Sequence, residues 1–111
     1  MNNEVFTLHK GDAEEILKSM EDSTIDLVVT SPPYDNLRHY NGVGDTWNHS
    51  KFCAIVKELY RVMKPGGVVV WVVNDKTEKG SETGTSFRQA LHFMDIGFNL
   101  NDTMIWEKSN P

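Results

Sequence analysis

The sequence predicts an α/β protein, a partial Rossmann-like and doubly wound sheet, and three observations predict it. Residues 25–30 and 68–73 are β-branched and almost continuously apolar, as strands buried on both faces of a parallel sheet tend to be. Three other segments carry apolar residues at helical spacing. Strands and helices alternate along the chain, which is the order of a doubly wound sheet.

The elements follow in order. Val5-Phe6-Thr7-Leu8 alternates loosely and reads as a short strand. Asp12 is placed to cap a helix, with Glu15 three residues on in the spacing of a capping box. Ala13, Ile16, Leu17 and Met20 then define one helical face, and Glu14 and Glu15 suit the positive end of its dipole. After the strand at 25–30, Pro32 and Pro33 prevent a central strand from continuing. Residues 35–48 are polar and read as a long loop. A second helix is predicted over 50–63, burying Phe52, Ile55, Val56, Leu59, Val62 and Met63. Lys64-Pro65-Gly66-Gly67 ends it, and the strand at 68–73 follows. Residues 75–84 read as another polar loop. Phe87, Ala90, Leu91 and Met94 mark the face of a third helix, closed by Gly97. Phe98, Leu100 and Met104-Ile105-Trp106 suggest a last strand or hairpin. Right-handed crossovers bring the loops after residues 30 and 74 to one carboxyl rim, where such folds bind ligands.

Composition limits the function classes. The 111 residues make one domain at most, with 39% hydrophobic and 10% aromatic residues. No apolar run approaches the roughly 20 residues of a membrane span, and Met1-Asn2-Asn3-Glu4 has no signal-peptide character. Cys53, the single cysteine, excludes an internal disulfide, and the four histidines lack an HExxH spacing. A cytoplasmic, metal-free protein is expected. The net charge of −5 is unfavourable for a protein that grips DNA phosphates, and eight of the sixteen acidic residues fall in the first 35 positions. Either most phosphate contacts come from elsewhere, or DNA is not the partner.

The turn at Ser31-Pro32-Pro33-Tyr34 carries the chemistry. Two prolines stiffen the backbone and remove two donors, leaving carbonyls free to accept from a ligand. Ser31 adds a hydroxyl and Tyr34 a flat face that stacks on a heteroaromatic ring. Such a set suits a planar ligand with an amino group, the description of a nucleobase flipped out of its stack.

Three blocks extend this to a resemblance. They are Gly11-Asp12 through Ile25-Asp26-Leu27-Val28-Val29-Thr30-Ser31-Pro32-Pro33-Tyr34; Glu58-Leu59-Tyr60-Arg61-Val62-Met63-Lys64-Pro65-Gly66-Gly67; and Ile105-Trp106-Glu107-Lys108-Ser109-Asn110-Pro111. In this order they resemble the DNA amino-methyltransferases of restriction-modification systems, over most of the chain. The resemblance implies that Ser31 and the Pro32 carbonyl contact the target amine within the Ser31, Pro32, Pro33, Tyr34 set, with Tyr34 stacked on the base. It also implies S-adenosylmethionine as methyl donor, DNA as partner, and an acid at Asp12 near the cofactor adenine. Serine at the first motif position favours cytosine N4 over adenine N6. The family's Phe-x-Gly-x-Gly cofactor loop is absent, and Gly42-Val43-Gly44 follows a polar segment and does not replace it. In the permuted, beta-type subgroup that loop comes after the catalytic motif. The expectation is therefore the N-terminal, target-base half of a methyltransferase domain, inactive alone, completed by a C-terminal segment or a complementary half.

Plainer readings stand beside these. A non-catalytic remnant or DNA-binding module would keep the turn and lack the loop. Asp12 also reads as a helix cap, and Asp75, at the end of its strand, either as facing cofactor or substrate or as a cap or turn residue. Trp71 reads as core, Cys53 as a small buried hydrophobe. Arg38, His39 and Tyr40 read as phosphate contacts or as a solvated loop, and Trp47 as a cover for the site or a loop anchor.

Overall fold

Asp12 caps the first helix. The computed structural model of the protein, which describes residues 5–33, 47–75 and 77–105, places α1 at Ala13–Lys18, with the Asp12 carboxylate accepting from the Glu15 N–H at 3.2 Å. One of the donors that a helix start leaves orphaned is thereby satisfied. There follow β1 (Ile25–Thr30), α2 (His49–Val62), β2 (Met63–Trp71), the short strands β3 (Thr77–Glu78) and β4 (Ser81–Glu82), and α3 (Thr85–Ile96).

β1 and β2 pair in parallel, with Leu27 beside Val68, Val29 beside Val70 and Thr30 beside Trp71. Parallel neighbours need a crossover, and α2 supplies it. β2 begins earlier than the apolar run suggested: Met63 pairs with Ile25, then the register shifts before Leu27 meets Val68. The Lys64-Pro65-Gly66-Gly67 stop segment forms this irregularity, where Pro65 needs no ladder donor. A Cβ on Gly67 would lie 3.0 Å from the Lys64 carbonyl and 3.1 Å from that of Asp26, so the strands close up only around glycine.

α2 buries the six residues its periodicity indicated: Phe52, Ile55, Val56, Leu59, Val62 and, just past its end, Met63. Phe52 meets Trp71 of β2 and Phe93 of α3 edge-on at 5.6 Å each. α1 is fastened to α2 by polar links. Arg61 donates to the carbonyls of Met20 and Leu17 and pairs with Asp22, covering acceptors left open at the helix end. Lys51 pairs with both Asp12 and Glu14 at 2.9 Å.

Four expectations are corrected. Residues 5–8 form no strand, and Val5, Phe6 and Leu8 are exposed. Residues 98–105 form none either, with Leu100, Met104 and Ile105 exposed; Trp106 lies outside the described residues. A strand exists only with a neighbour to bond, and no neighbour reaches either segment among the described residues. α3 turns the face opposite to the one expected: Gln89 is buried and Phe93 packs on Trp71, while Phe87, Leu91 and Met94 are exposed. The polar segment after residue 75 contains a small hairpin, with Thr77 beside Glu82 and Glu78 beside Ser81. Positive φ at Lys79 and Gly80 gives the primed turn that tight hairpins favour. No helix among the described residues is long and apolar enough to cross a membrane.

Candidate functional site

Parallel pairing brings the carboxyl ends of β1 and β2 to one rim. The ladder runs on past Trp71, where the Val72 N–H donates to the Thr30 carbonyl at 2.9 Å. Ser31, Pro32 and Pro33 therefore leave β1 beside the exit of β2. Ser31 is exposed, Pro32 buried and Pro33 half-buried. The turn is thus anchored through a proline ring while the hydroxyl-bearing residue faces outward. Tyr34 lies outside the described residues, as do Arg38, His39, Tyr40 and Gly42-Val43-Gly44.

The same rim gathers the starts of both long helices. Asn48 caps α2 by accepting from the Lys51 N–H at 2.9 Å. Trp47, one residue earlier, sets its ring edge-on to Phe52 at 6.4 Å and so anchors the incoming chain. α3 starts at Gly84, which has no side-chain cap of its own. Asp75 reaches across instead: its carboxylate accepts from the Ser86 N–H at 2.7 Å and from the Ser86 hydroxyl at 3.0 Å. The end of β2 is thereby tied to the start of α3, and Asp75 serves as a cap.

Behind the rim, the Trp71 indole N–H donates to Gln89 Oε1 at 3.0 Å. Gln89 is the buried polar residue among those described. Sequence reasoning missed it because a lone glutamine on a helix looks like surface; the signal was Trp71, whose N–H needs an acceptor once enclosed. Cys53, half-buried, sits 3.4 Å from His49 Nε2 and 4.0 Å from His92 Nδ1. No group of three or more His, Cys, Asp or Glu among the described residues is placed to hold a metal ion.

Asp12 is tied to the start of α2 through Lys51. Its carboxylate is engaged by the Lys51 ammonium and the Glu15 N–H, which together hold it below the usual carboxylate range. Contact with any ligand must compete with those partners.

A family model described as DNA methylase, of the N6 and N4 class, matches residues 25–111. The orphan methyltransferase M.BamHII of Bacillus amyloliquefaciens is 61% identical over 93 residues, 84% of this chain and 33% of its own length. The Type II beta methyltransferase M.BslI of a Bacillus species is 34% identical over 94% of this chain and 13% of its own length. Among solved structures, a protein of Thermus thermophilus named as a putative DNA modification methylase matches with a TM-score of 0.64 and 29% identity over 80% of this chain and 39% of its own. Its complex with S-adenosyl-L-methionine gives a TM-score of 0.62. This chain thus spans a third or less of the first two relatives and about two-fifths of the structural neighbour.

Proposed function

Because the chain belongs to the DNA methylase family of N6 and N4 amino-methyltransferases, we propose that its 111 residues are the target-base half of a methyltransferase domain, with the residue 31–34 turn as the base pocket. The observation that carries this reading is the turn's position at the common carboxyl rim of two parallel strands, with Ser31 exposed and Pro32 buried. A flipped cytosine or adenine presents its amine to Ser31 and the Pro32 carbonyl, while Tyr34 stacks on the ring. These acceptors orient the nitrogen and stabilise positive charge as it develops there, and fixed acceptors do so without reorganising. Serine in the first position favours cytosine N4.

S-adenosylmethionine is the donor, the ligand carried by the Thermus neighbour, and it supplies an electrophilic methyl group. Asp12 would face its adenine, in addition to its bonds with Lys51 and Glu15, while no glycine-rich cradle for it is found among the described residues. The cofactor cradle therefore lies in the remainder of the methylase, as in the permuted order that the beta designation of one relative supports. DNA in the cytoplasm is the partner.

The test is methyl transfer to DNA by this chain supplied with that remainder, followed by nucleoside analysis. N4-methylcytosine is the expected product. Ser31→Ala lowers turnover about 100-fold, and Tyr34→Ala about 10- to 100-fold, the range of one lost base stack. The chain alone transfers little or no labelled methyl. Full activity in the Ser31 and Tyr34 variants, or no transfer by the completed enzyme, overturns the assignment, the second result in favour of a binding remnant.

A further inference from the structure

The connection from β2 to α3 leaves the same carboxyl rim as the base turn, and it carries cations that the fold does not use. Lys18, Lys51, Arg61 and Lys64 are each held in ion pairs elsewhere. Lys79 and Arg88, both exposed, are in none among the described residues. The hairpin between them is fixed at both ends. Asp75 binds Ser86, and Arg88 donates to the Thr83 carbonyl at 3.0 Å and to the Thr85 hydroxyl at 3.1 Å. Lys79 and Gly80 form the tip, with φ of 52° and 78°. Thr77 pairs with Glu82 and Glu78 with Ser81, so the two glutamates lie on opposite faces of the ribbon and build no common acidic surface. A primed turn favours asparagine, aspartate or glycine at both central positions, because asparagine enters the left-handed region more readily than lysine does. The turn itself gives no reason for a lysine at position 79.

We propose that the β3–β4 hairpin is a backbone clamp, in which Lys79 at its tip and Arg88 at its base each neutralise a DNA phosphate beside the flipped nucleotide. The inference rests on the methylase reading above. A base that leaves its stack for a pocket at the rim brings its own sugar-phosphate chain to that rim. Whatever borders the pocket then meets phosphate oxygens, and here the bordering element presents two unpaired cations. The Arg88 guanidinium has donors beyond the two bonds that hold the hairpin, so it can bind an anion without releasing Thr83 or Thr85. Lys79 stands four positions before Thr83, which puts the two contacts at most about 14 Å apart along the chain. That distance covers roughly four steps of a DNA strand at 3.4 Å each. Contacts of this kind set the register of the duplex and read no sequence.

The experiment measures duplex binding across a salt series, by fluorescence anisotropy, for the 111-residue chain alone and completed as in the methylation test above. Lys79→Asn deletes the charge and places in the turn a residue that suits it. Arg88→Gln deletes the charge and keeps an amide donor for Thr83. Each is expected to lower the slope of log affinity against log salt by about 0.9, equally on duplexes of unrelated sequence, and Lys79→Asn does so with no fall in thermal midpoint. Lys79→Arg retains the slope. Lys57→Ala, at an exposed position about two turns along α2 from the rim, leaves it unchanged. Unaltered slopes in Lys79→Asn and Arg88→Gln overturn the proposal, and so does a loss of affinity confined to one duplex sequence, which would assign the hairpin to base reading. Lowered slopes without any methylated nucleoside from the completed enzyme remove the methylase reading and leave the clamp. Methyl transfer with slopes that neither variant alters does the reverse.

Discussion

Gly97 is fixed by its neighbour. Its φ is +135°, and a Cβ there would lie 2.6–2.8 Å from the Tyr60 ring, which is itself packed edge-on to Phe98 at 5.2 Å. Gly97→Ala combines backbone strain with a clash and is expected to destabilise the fold by about 2 kcal/mol or more. Thermal unfolding followed by circular dichroism checks this, and an unshifted midpoint contradicts it. Gln89 offers a second test. Gln89→Leu strands the Trp71 indole N–H and costs about 1–3 kcal/mol; adding Trp71→Phe removes the orphaned donor and recovers part of the loss, whereas additive losses would deny the coupling. These residues differ in legibility. Gly97 was readable as a helix stop, because the helical period ends there. Gln89 was not, since its burial depends on a tryptophan eighteen positions away. Ser31, Pro32 and Pro33 were legible as a rim turn because two adjacent prolines end a strand whose right-handed crossover sets its carboxyl end at the rim. Asp75 was readable as the end of a strand, yet only the fold reveals that it caps α3.

Among the elements, helices were read more faithfully than strands. α1 and α2 have their caps and periodicity in contiguous sequence, so local rules locate them. Residues 5–8 and 98–105 have strand-like patterns and no partner among the described residues, and a strand is a non-local object. α3 misled for another reason: it is apolar on two sides, and composition does not say which side turns inward. The attachment of α1 to α2 also has a pH signature. Hydrogen bonds from Lys51 hold the Asp12 carboxyl, and those from Lys51 and Lys18 hold the Glu14 carboxyl, below their ordinary values of 3.8 and 4.5. A lowered carboxylate contributes stability above its unfolded value, and the contribution disappears as pH falls through the folded one. Seen from the cations, the same contacts raise Lys51 and Lys18 above 10.5 and are lost only as pH climbs beyond that value. α1 therefore stays attached across neutral pH and loosens in acid below the ordinary carboxylate values. Protection factors of the Ile16 and Leu17 amides should fall there, and Lys51→Met should flatten the dependence. A pH-independent protection in the wild type would reject the latch.

At the scale of the whole molecule, charge decides what this chain can do to DNA unaided. Eleven basic residues face sixteen acidic ones, and several of the basic groups are already committed. Lys18 pairs with Glu14, Lys51 with Asp12, Arg61 with Asp22 and Lys64 with Asp26. Each phosphate neutralised by a protein cation adds about 0.9 to the negative slope of log affinity against log salt. With a net charge of −5 opposing approach to phosphate, the chain is expected to show a slope no steeper than about −2, with weak binding even at low ionic strength. Supplying the remainder of a methylase should steepen that slope, because the added contacts are to phosphate, while Ser31→Ala should leave the slope unchanged, because its contact is to a base amine. Fluorescence anisotropy of a labelled duplex across a salt series separates the two. A slope of about −6 for the chain alone would mean that many residues of this half grip the backbone directly, and the division of labour between a base-holding half and a phosphate-holding remainder would then be wrong.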